Sequence, residues 1–396
     1  MRILNHDYPG HAFPIQLSRQ LAGRGHEVLH VYAGYNVTPR GLLDKQGDDP
    51  ETFSIRPIYI RDPLKKYNFV KRWQQEREYG QLLAEEIAAF EPDVVISANT
   101  PLDAQKQALK AVRRTNSRFV FWLQDIIGIA IQRLLTKKLP ILGGLIGAYY
   151  IRLERVLLHS SDHVVLITED FLPPLRQWGI EKSQMTVIPN WATLEDLPVK
   201  PKDNPWSRSN GLTDKFCFLY SGTLGMKHKP DMLLQLAFHF REASHVRIVV
   251  VSEGPGADRL ITQREIHKLD NLVIFKFQPF EQLPNVMGTA DVLIAVLESD
   301  AGAFSVPSKV LTYLCAQRPL LLAVPLENLA ARNVKENDAG LVVDPTNLSQ
   351  FIETANLLLN DNTMRARLAQ NGRKYAEKKF NICEISDKFE EIIDRI

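Results

Sequence analysis

Glycine and lysine at spacings suited to anions are the residues of this chain most fitted for chemistry. The run Ser221-Gly222-Thr223-Leu224-Gly225 leads straight into Met226-Lys227-His228-Lys229. Glycines let a backbone approach a ligand closely, and two lysines within three residues neutralise phosphate. A second tight turn, Ser252-Glu253-Gly254-Pro255-Gly256, has the same character. A third stretch, Val306-Pro307-Ser308-Lys309, heads an apolar-periodic segment. Proline and serine there can simply start and cap a helix. A helix mouth also offers unpaired N–H groups and partial positive charge, and with a lysine beside it becomes an anion site. On this stretch alone both readings of Ser308 and Lys309 stand.

Acid–base candidates lie in the first half. Asp125 ends the apolar run "FVFWLQD" and could take a proton or orient an attacking hydroxyl; as a helix N-cap before "IIGIAIQRLL" it would look the same. His11 follows Pro9-Gly10 in a loop after the opening strand, where a turn glycine and a satisfied histidine are the plain alternative. No GxGxxG run and no lysine-bearing phosphate loop of the ATPase type is present. Adjacent acids in "GDDP" (47–50) sit in a polar loop, and no metal site is expected. Three scattered cysteines, Cys217, Cys315 and Cys383, show neither a disulfide framework nor zinc spacing.

These residues need elements to hold them at common edges. Strand-like runs alternate with helical ones: "RIL", "EVLHVYA", "PDVVISAN", "RFVFWLQD", "DHVVLITED" and "MTVIPNW", then "FCFLYSGTLG", "VRIVVVSEGPG", "NLVIFKF", "DVLIAVL", "RPLLLAVP" and "GLVVDP". This predicts α/β architecture with parallel, doubly wound sheets. At 396 residues the chain is too long for one ordinary core. The polar stretch 195–211 reads as an interdomain connection, giving domains 1–195 and 196–375. Residues 376–396 are expected to form a helix packing back on the first domain. Two such halves imply a ligand cleft outside the strands' carboxyl ends.

The formal net charge is +2, yet residues 101–160 hold ten Lys/Arg against Asp103, Asp125 and Glu154. That excess fits an anionic partner such as a membrane surface, or else a solvated helical face. The segment 139–158, with "RLLTKK" upstream, could lie in a membrane interface. A buried helix followed by an exposed end explains the same letters. No apolar run reaches about 18 residues, and the N-terminus does not read as a signal peptide, so a cytoplasmic location is expected.

The ordered set "GRGHEV", "VIPNWATLED", "YSGTLGMKHKPDMLLQLA", "VVSEGPG", "LPNVMGTADVLI" and "VPSKVLTYLCAQRPLLLAVP" resembles GT-B glycosyltransferases across nearly the whole chain. It is most similar to retaining, family 4-like enzymes of exopolysaccharide, capsule and O-antigen assembly, the colanic-acid type among them. The resemblance implies two Rossmann-like domains facing a central cleft, the second holding a nucleotide-diphosphate sugar and the first an acceptor. Carried over position by position, Gly222, Thr223 and Gly225 pass under the diphosphate, with Lys227 favoured over Lys229 as its catalytic cation. Glu253 and Gly254 lie beside the nucleotide, and Phe277, Gln278 and Pro279 wall the base. Ser305, Ser308 and Lys309 meet the phosphates, deciding the helix mouth in favour of an anion site. Asp125 and His11 become the catalytic candidates of the first domain, with Gly10 and Asn190 on the acceptor side.

The sequence departs from that pattern in one respect. Many such enzymes carry a Glu-x7-Glu pair, and here Phe304 and Thr312 stand at its positions. Thr312 can bond a ribose less strongly than a carboxylate, and Glu298 is the stand-in for the missing first acid. The implied reaction is transfer with retention from a nucleotide sugar to a saccharide or a polyprenyl-diphosphate-linked saccharide acceptor. No cofactor, metal ion or nucleic acid is expected, and an anionic membrane surface is the expected docking partner on the inner face. Two rivals stay open: a sugar-nucleotide epimerase on the same scaffold, and a catalytically weak sugar-nucleotide-binding partner.

Overall fold

The structure is a computed structural model. It describes all residues except 36–39, 66–67, 226–227 and 300–307, together with the side chain of residue 138. The chain divides into two compact units, Met1–Asn190 with Ile382–Ile396, and Trp191–Asn381.

Unit 1 runs β1 (Arg2–Asp7), α1 (Ala12–Gly23), β2 (Glu27–Ala33), β3 (Phe53–Ile58), α2 (Phe69–Phe90), β4 (Val94–Ala98), α3 (Leu102–Arg114), β5 (Arg118–Leu123), α4 (Ile127–Lys138), α5 (Pro140–His159), β6 (His163–Leu166), α6 (Leu172–Gln177) and β7 (Met185–Val187). Its seven strands lie in the order β3-β2-β1-β4-β5-β6-β7, and every pair is parallel. Helices cover both faces of such a sheet, so its strands read as continuous apolar runs; "VVISA" of β4 is buried throughout. Between β1 and β4 the chain reverses its direction of travel across the sheet, the place where open α/β sheets hold ligands at their carboxyl edges.

Unit 2 runs α7 (Pro205–Ser209), β8 (Phe216–Ser221), α8 (Asp231–His239), β9 (Val246–Val251), α9 (Pro255–His267), β10 (Leu272–Phe275), α10 (Leu283–Gly288), β11 (Val292–Val296), α11 (Ser308–Cys315), β12 (Leu320–Ala323), α12 (Leu329–Glu336), β13 (Gly340–Val343), α13 (Leu348–Asn360) and α14 (Asn362–Lys379). The strand order β10-β9-β8-β11-β12-β13, again all parallel, puts the reversal between β8 and β11. One apolar core, with Phe218, Leu233, Ile248, Ile294 and Phe351 fully buried, holds the sheet to α8 and α13. The stretch 195–211 is not a bare connection. Asn204 caps α7 and donates to Asn285 O, and Trp206 is buried, so the segment is packed within unit 2.

Helix α15 (Ile382–Arg395) belongs to unit 1. Phe389 stacks edge-on against Trp122 at 4.9 Å, and Arg24 pairs with Asp387 at 2.7 Å and with Glu390. Strand β3 escapes the sequence reading because its burial alternates, and Arg56 within it reaches out to Glu86.

Candidate functional site

At the reversal point of unit 2, three strand ends meet. Ser221 closes β8, and Tyr313 of α11 pins it: the Ser221 N–H donates to the Tyr313 hydroxyl at 2.8 Å, which donates to Ser221 O at 2.9 Å. The next residue, Gly222, has φ +128°, a conformation for residues without a Cβ. A Cβ there would meet Lys309 Cε at 3.2 Å and Nζ at 3.4 Å. The Lys309 ammonium donates to the hydroxyl of buried Tyr220, lies 3.8 Å from that ring's centroid, and reaches Thr223 O at 3.3 Å. Tyr220 in turn donates to Thr223 O at 2.7 Å. A cation is therefore held over a backbone turn by the first residues of an eight-residue helix.

The β9 loop packs against the same turn. Gly256 N donates to Leu224 O at 2.9 Å, and a Cβ on Gly256 would stand 2.3 Å from that oxygen. Gly254, φ +108°, opens α9, with Glu253 exposed before it. Glu298, two residues beyond β11, is half-buried; Ser308 is exposed; Thr312, one helical turn further into α11, is half-buried. Exposed Thr223 and half-buried Gly225 complete the β8 loop, which closes on itself through Gly225 N to His228 Nδ1 at 2.9 Å.

Other predicted residues are engaged elsewhere. Lys229 donates to Pro345 O at 2.5 Å, on the loop after β13, rather than toward Gly222. Gln278 accepts from Trp206 Nε1 at 3.1 Å and donates to Lys276 O at 3.0 Å, with Phe277 half-buried and Pro279 exposed beside it. Lys227 and Ser305 lie outside the described residues, as does Phe304.

At the reversal point of unit 1 the sequence reading missed two residues. Asp7, the last residue of β1, is fully buried, and its carboxylate accepts from His11 N at 2.5 Å and Asn99 Nδ2 at 2.7 Å. His11 Nδ1 stands 3.5 Å from the same carboxylate. Burial opposes a charge on His11, yet the attraction of Asp7, helped by Asp125, raises its pKa above the ordinary value. Burial pushes the Asp7 carboxyl up, but His11 and the donated hydrogen bonds leave it below its usual range. Asn99 holds φ +54°, a left-handed position at the end of β4. Asp7 lies beyond the apolar run "RIL" that marks the opening strand, so its polar neighbours Asn5 and His6 hide that β1 continues to it. Gly10, φ +78°, turns the loop between Asp7 and His11.

The alternative for Asp125 is overturned. Ile126, not Asp125, is the α4 N-cap, and the amides of Ile127 and Gly128 donate to Glu154 of α5, both at 2.9 Å. Asp125 is exposed at the end of β5, within electrostatic reach of His11. Asn190 exchanges a reciprocal amide pair with Gln124, at 2.5 and 3.2 Å, which ties the segment after β7 to the end of β5. In "GDDP", Asp49 is taken by Arg19 at 2.7 Å. Among the described residues no group of three or more His, Cys, Asp and Glu is placed to hold a metal ion.

Comparison with known proteins agrees with this layout. Residues 15–191 match the family model described as Glycosyl transferase 4-like domain, and residues 203–375 match Glycosyl transferases group 1. WcaI of Escherichia coli (strain K12), named for glycosyl transfer in colanic acid biosynthesis, is 24% identical over 170 residues, 42% of this chain and 42% of that protein. The aligned region thus spans less than half of that relative's length. The crystal structure of Anabaena Alr3699/HepE in complex with UDP and glucose superposes at TM-score 0.73 with 14% identity, covering 100% of both chains. WaaG, a glycosyltransferase involved in lipopolysaccharide biosynthesis, superposes at TM-score 0.68 with 15% identity over 99% of both. The chain carries the two domains of a glycosyltransferase, in the GT-B fold.

Proposed function

We propose that this chain transfers a sugar, with retention, from a nucleotide-diphosphate sugar to a saccharide acceptor in the assembly of a bacterial surface polysaccharide. The observation that carries the reading is the Lys309 ammonium held over the Gly222 turn at the mouth of α11. Breaking the bond between C1 and the diphosphate oxygen builds negative charge on that oxygen. A preorganised lysine and backbone amides stabilise it without reorganisation. The acceptor hydroxyl forms the new bond to C1, and its proton passes to the departing phosphate oxygen, so no metal or strong base is required.

In this reading Ser308 and Lys309 meet the phosphates, Gly222 to Gly225 underlie them, Gly254 flanks the nucleotide, and Thr312 and Glu298 face the sugar nucleoside. His11, its pKa raised by Asp7, acts in unit 1 as a hydrogen-bond donor, with Asp125 near it. The names of the colanic-acid relative and of WaaG support a surface polysaccharide as the product; carriage of the acceptor on a polyprenyl diphosphate at the inner face of the membrane is part of the proposal.

The test is thermal stabilisation of the purified chain by a panel of nucleoside diphosphates, in EDTA, beside Lys309→Ala. A ligand at a hundredfold excess over Kd stabilises by about 2.7 kcal/mol. A shift with one nucleotide that Lys309→Ala abolishes is expected; no shift with any nucleotide sinks the reading. Product anomeric configuration by NMR then checks retention. A sugar-nucleotide epimerase is the second reading, favoured by the buried Asp7 carboxylate paired with His11, which retaining transfer does not itself demand. Donor consumed without acceptor and without hydrolysis would select it.

A further inference from the structure

The outer face of the α4–α5 hairpin is apolar and exposed. Positions 141, 145, 149, 152 and 156 of α5 recur at intervals of three and four, which places them on one face. They are Ile141 (84% exposed), Leu145 (67%), Tyr149, Arg152 and Val156. Leu134, Leu139 and Leu142 extend the patch along α4 and around the turn. Seven of the seventeen exposed large hydrophobic side chains among the described residues fall between 134 and 156. That density is far from the single scattered apolar residues of ordinary surfaces. It also reverses one sequence expectation: the first half of α5 is the exposed part, while Leu153, Leu157 and Leu158 near its end are buried.

The opposite face is fully committed, so the outer one cannot turn inward. A Cβ on Gly143 would stand 2.2 Å from Leu135 O, and one on Gly147 would stand 2.6 Å from Gln132 Cα; the two helices touch backbone to backbone. Glu154 fastens α5 to the first amides of α4. The hairpin is a locked element with an apolar outer stripe.

Cations stand among these apolar groups. Arg133 and Lys137 flank Leu134 on α4, and Arg152 lies within the α5 stripe, all exposed. This is the basic region of the chain, ten Lys/Arg against three acids over 101–160. A two-fold dimer through the patch would set these cations against themselves, since such interfaces are self-complementary. Interleaved arginine, lysine and leucine instead match an anionic bilayer, where the apolar side chains enter the headgroup–acyl boundary and the cations meet phosphate. No helix among the described residues is long and apolar enough to cross a membrane.

We propose that the α4–α5 hairpin docks the protein on an anionic bilayer, seating Leu139, Ile141, Leu142 and Leu145 in the interface with Arg133, Lys137 and Arg152 at the phosphate level. The inference rests on surface chemistry and is independent of the transfer reading.

The test is co-sedimentation of the full chain with phosphatidylcholine vesicles, with and without one-third phosphatidylglycerol, at salt on the order of 50 mM and tenfold higher. Binding to the anionic vesicles only, weakened by salt, is expected. Ile141→Ser/Leu142→Ser/Leu145→Ser should lower it at least about tenfold while keeping the wild-type melting temperature and nucleotide response. Arg133→Glu/Lys137→Glu should remove the salt-sensitive part. If the triple variant misfolds, Leu142→Trp serves as reporter, its emission shifting to the blue on anionic vesicles alone. Wild type remaining in the supernatant, equal binding by the variants, or a dimer that the triple variant converts to monomer would each overturn the proposal. Because nucleotide stabilisation is measured separately, loss of this inference and loss of the donor-site reading cannot be confused.

Discussion

The Asp7–His11 pair makes a prediction at the scale of single side chains. Asp7→Asn keeps the shape and can still accept from the His11 amide, but it removes the charge that raises the His11 pKa. With only Asp125 left to oppose burial, the His11 pKa should fall, read from its Hε1 resonance during an NMR titration. Turnover should drop roughly 10- to 100-fold, the scale of one lost hydrogen bond to a charged group. An unmoved His11 titration would disprove the pairing. The sign for stability is fixed on both sides. His11 has a raised folded pKa, so its contribution fades as pH rises through that value; Asp7 has a lowered one, so its contribution fades as pH falls through it. The legibility of these residues follows from chain distance. Gly222 and Lys309 were readable because glycine and lysine sit in local runs at strand and helix ends. Asp7 needed Asn99 beside it, and Lys229 found Pro345, partners that local spacing does not reveal.

Among the secondary elements, the junction of α4 and α5 turns on Glu154. Fully buried and accepting two amides, its carboxyl has a pKa raised to about 8, because desolvation outweighs the two donated hydrogen bonds. Between the unfolded value near 4.5 and the folded one, the native state holds a proton that the unfolded chain releases. Stability contributed here therefore falls as pH rises through that window. Glu154→Gln should abolish this slope while keeping one of the two amide bonds, since its Nε2 cannot accept the other; Glu154→Ala loses both and should cost more, about 1–3 kcal/mol for each amide left stranded. Denaturant melts at pH 5 and pH 8 decide, and a Gln variant with an unchanged slope would refute the account. The same junction shows why strand and helix runs are legible while their fastening is not. Continuous apolar runs such as "FCFLY" and "VRIVVV" announce buried parallel strands. The cap of α4 comes from a residue 26 positions away from Gly128, so adjacency pointed to Asp125 instead. Glycines 143 and 147, which weaken an isolated helix, are here the sites where a neighbouring backbone fits.

At the scale of the whole molecule, the histidines whose pKa is lowered are unevenly distributed. His6, His30 and His163 all belong to unit 1, and desolvation lowers their pKa values to about 3, 4 and 4. Each is buried in hydrogen bonds that suit a neutral ring: His6 between Ser97 and Tyr79, His30 against Ser18, His163 against Thr186. The unfolded chain protonates them near pH 6.5, so their contribution is complete above that pH and is lost as pH falls toward the folded values. Glu154 acts in the opposite sense with one proton, and so does Glu76, whose carboxyl burial pushes above its ordinary value, while below pH 6.5 His11, its folded pKa raised, differs little between the states. One to two net protons favour the unfolded form, a slope of roughly 1–3 kcal/mol per pH unit. That is a large part of the 5–15 kcal/mol that stabilises a typical domain. In unit 2 the displaced groups among the described residues are tyrosines, cysteines, arginines and Asp344, whose carboxyl is held below its usual range. None of these changes charge between pH 4.5 and 6.5. Unit 1 should therefore melt first as the solution is acidified while unit 2 persists, visible as two calorimetric transitions that separate below pH 6. Hydrogen exchange should assign the earlier one to β1, β2 and β6. A single transition that stays intact to pH 5, or earlier exchange in β8 and β9, would show that the buried histidines do not set the acid limit of this protein.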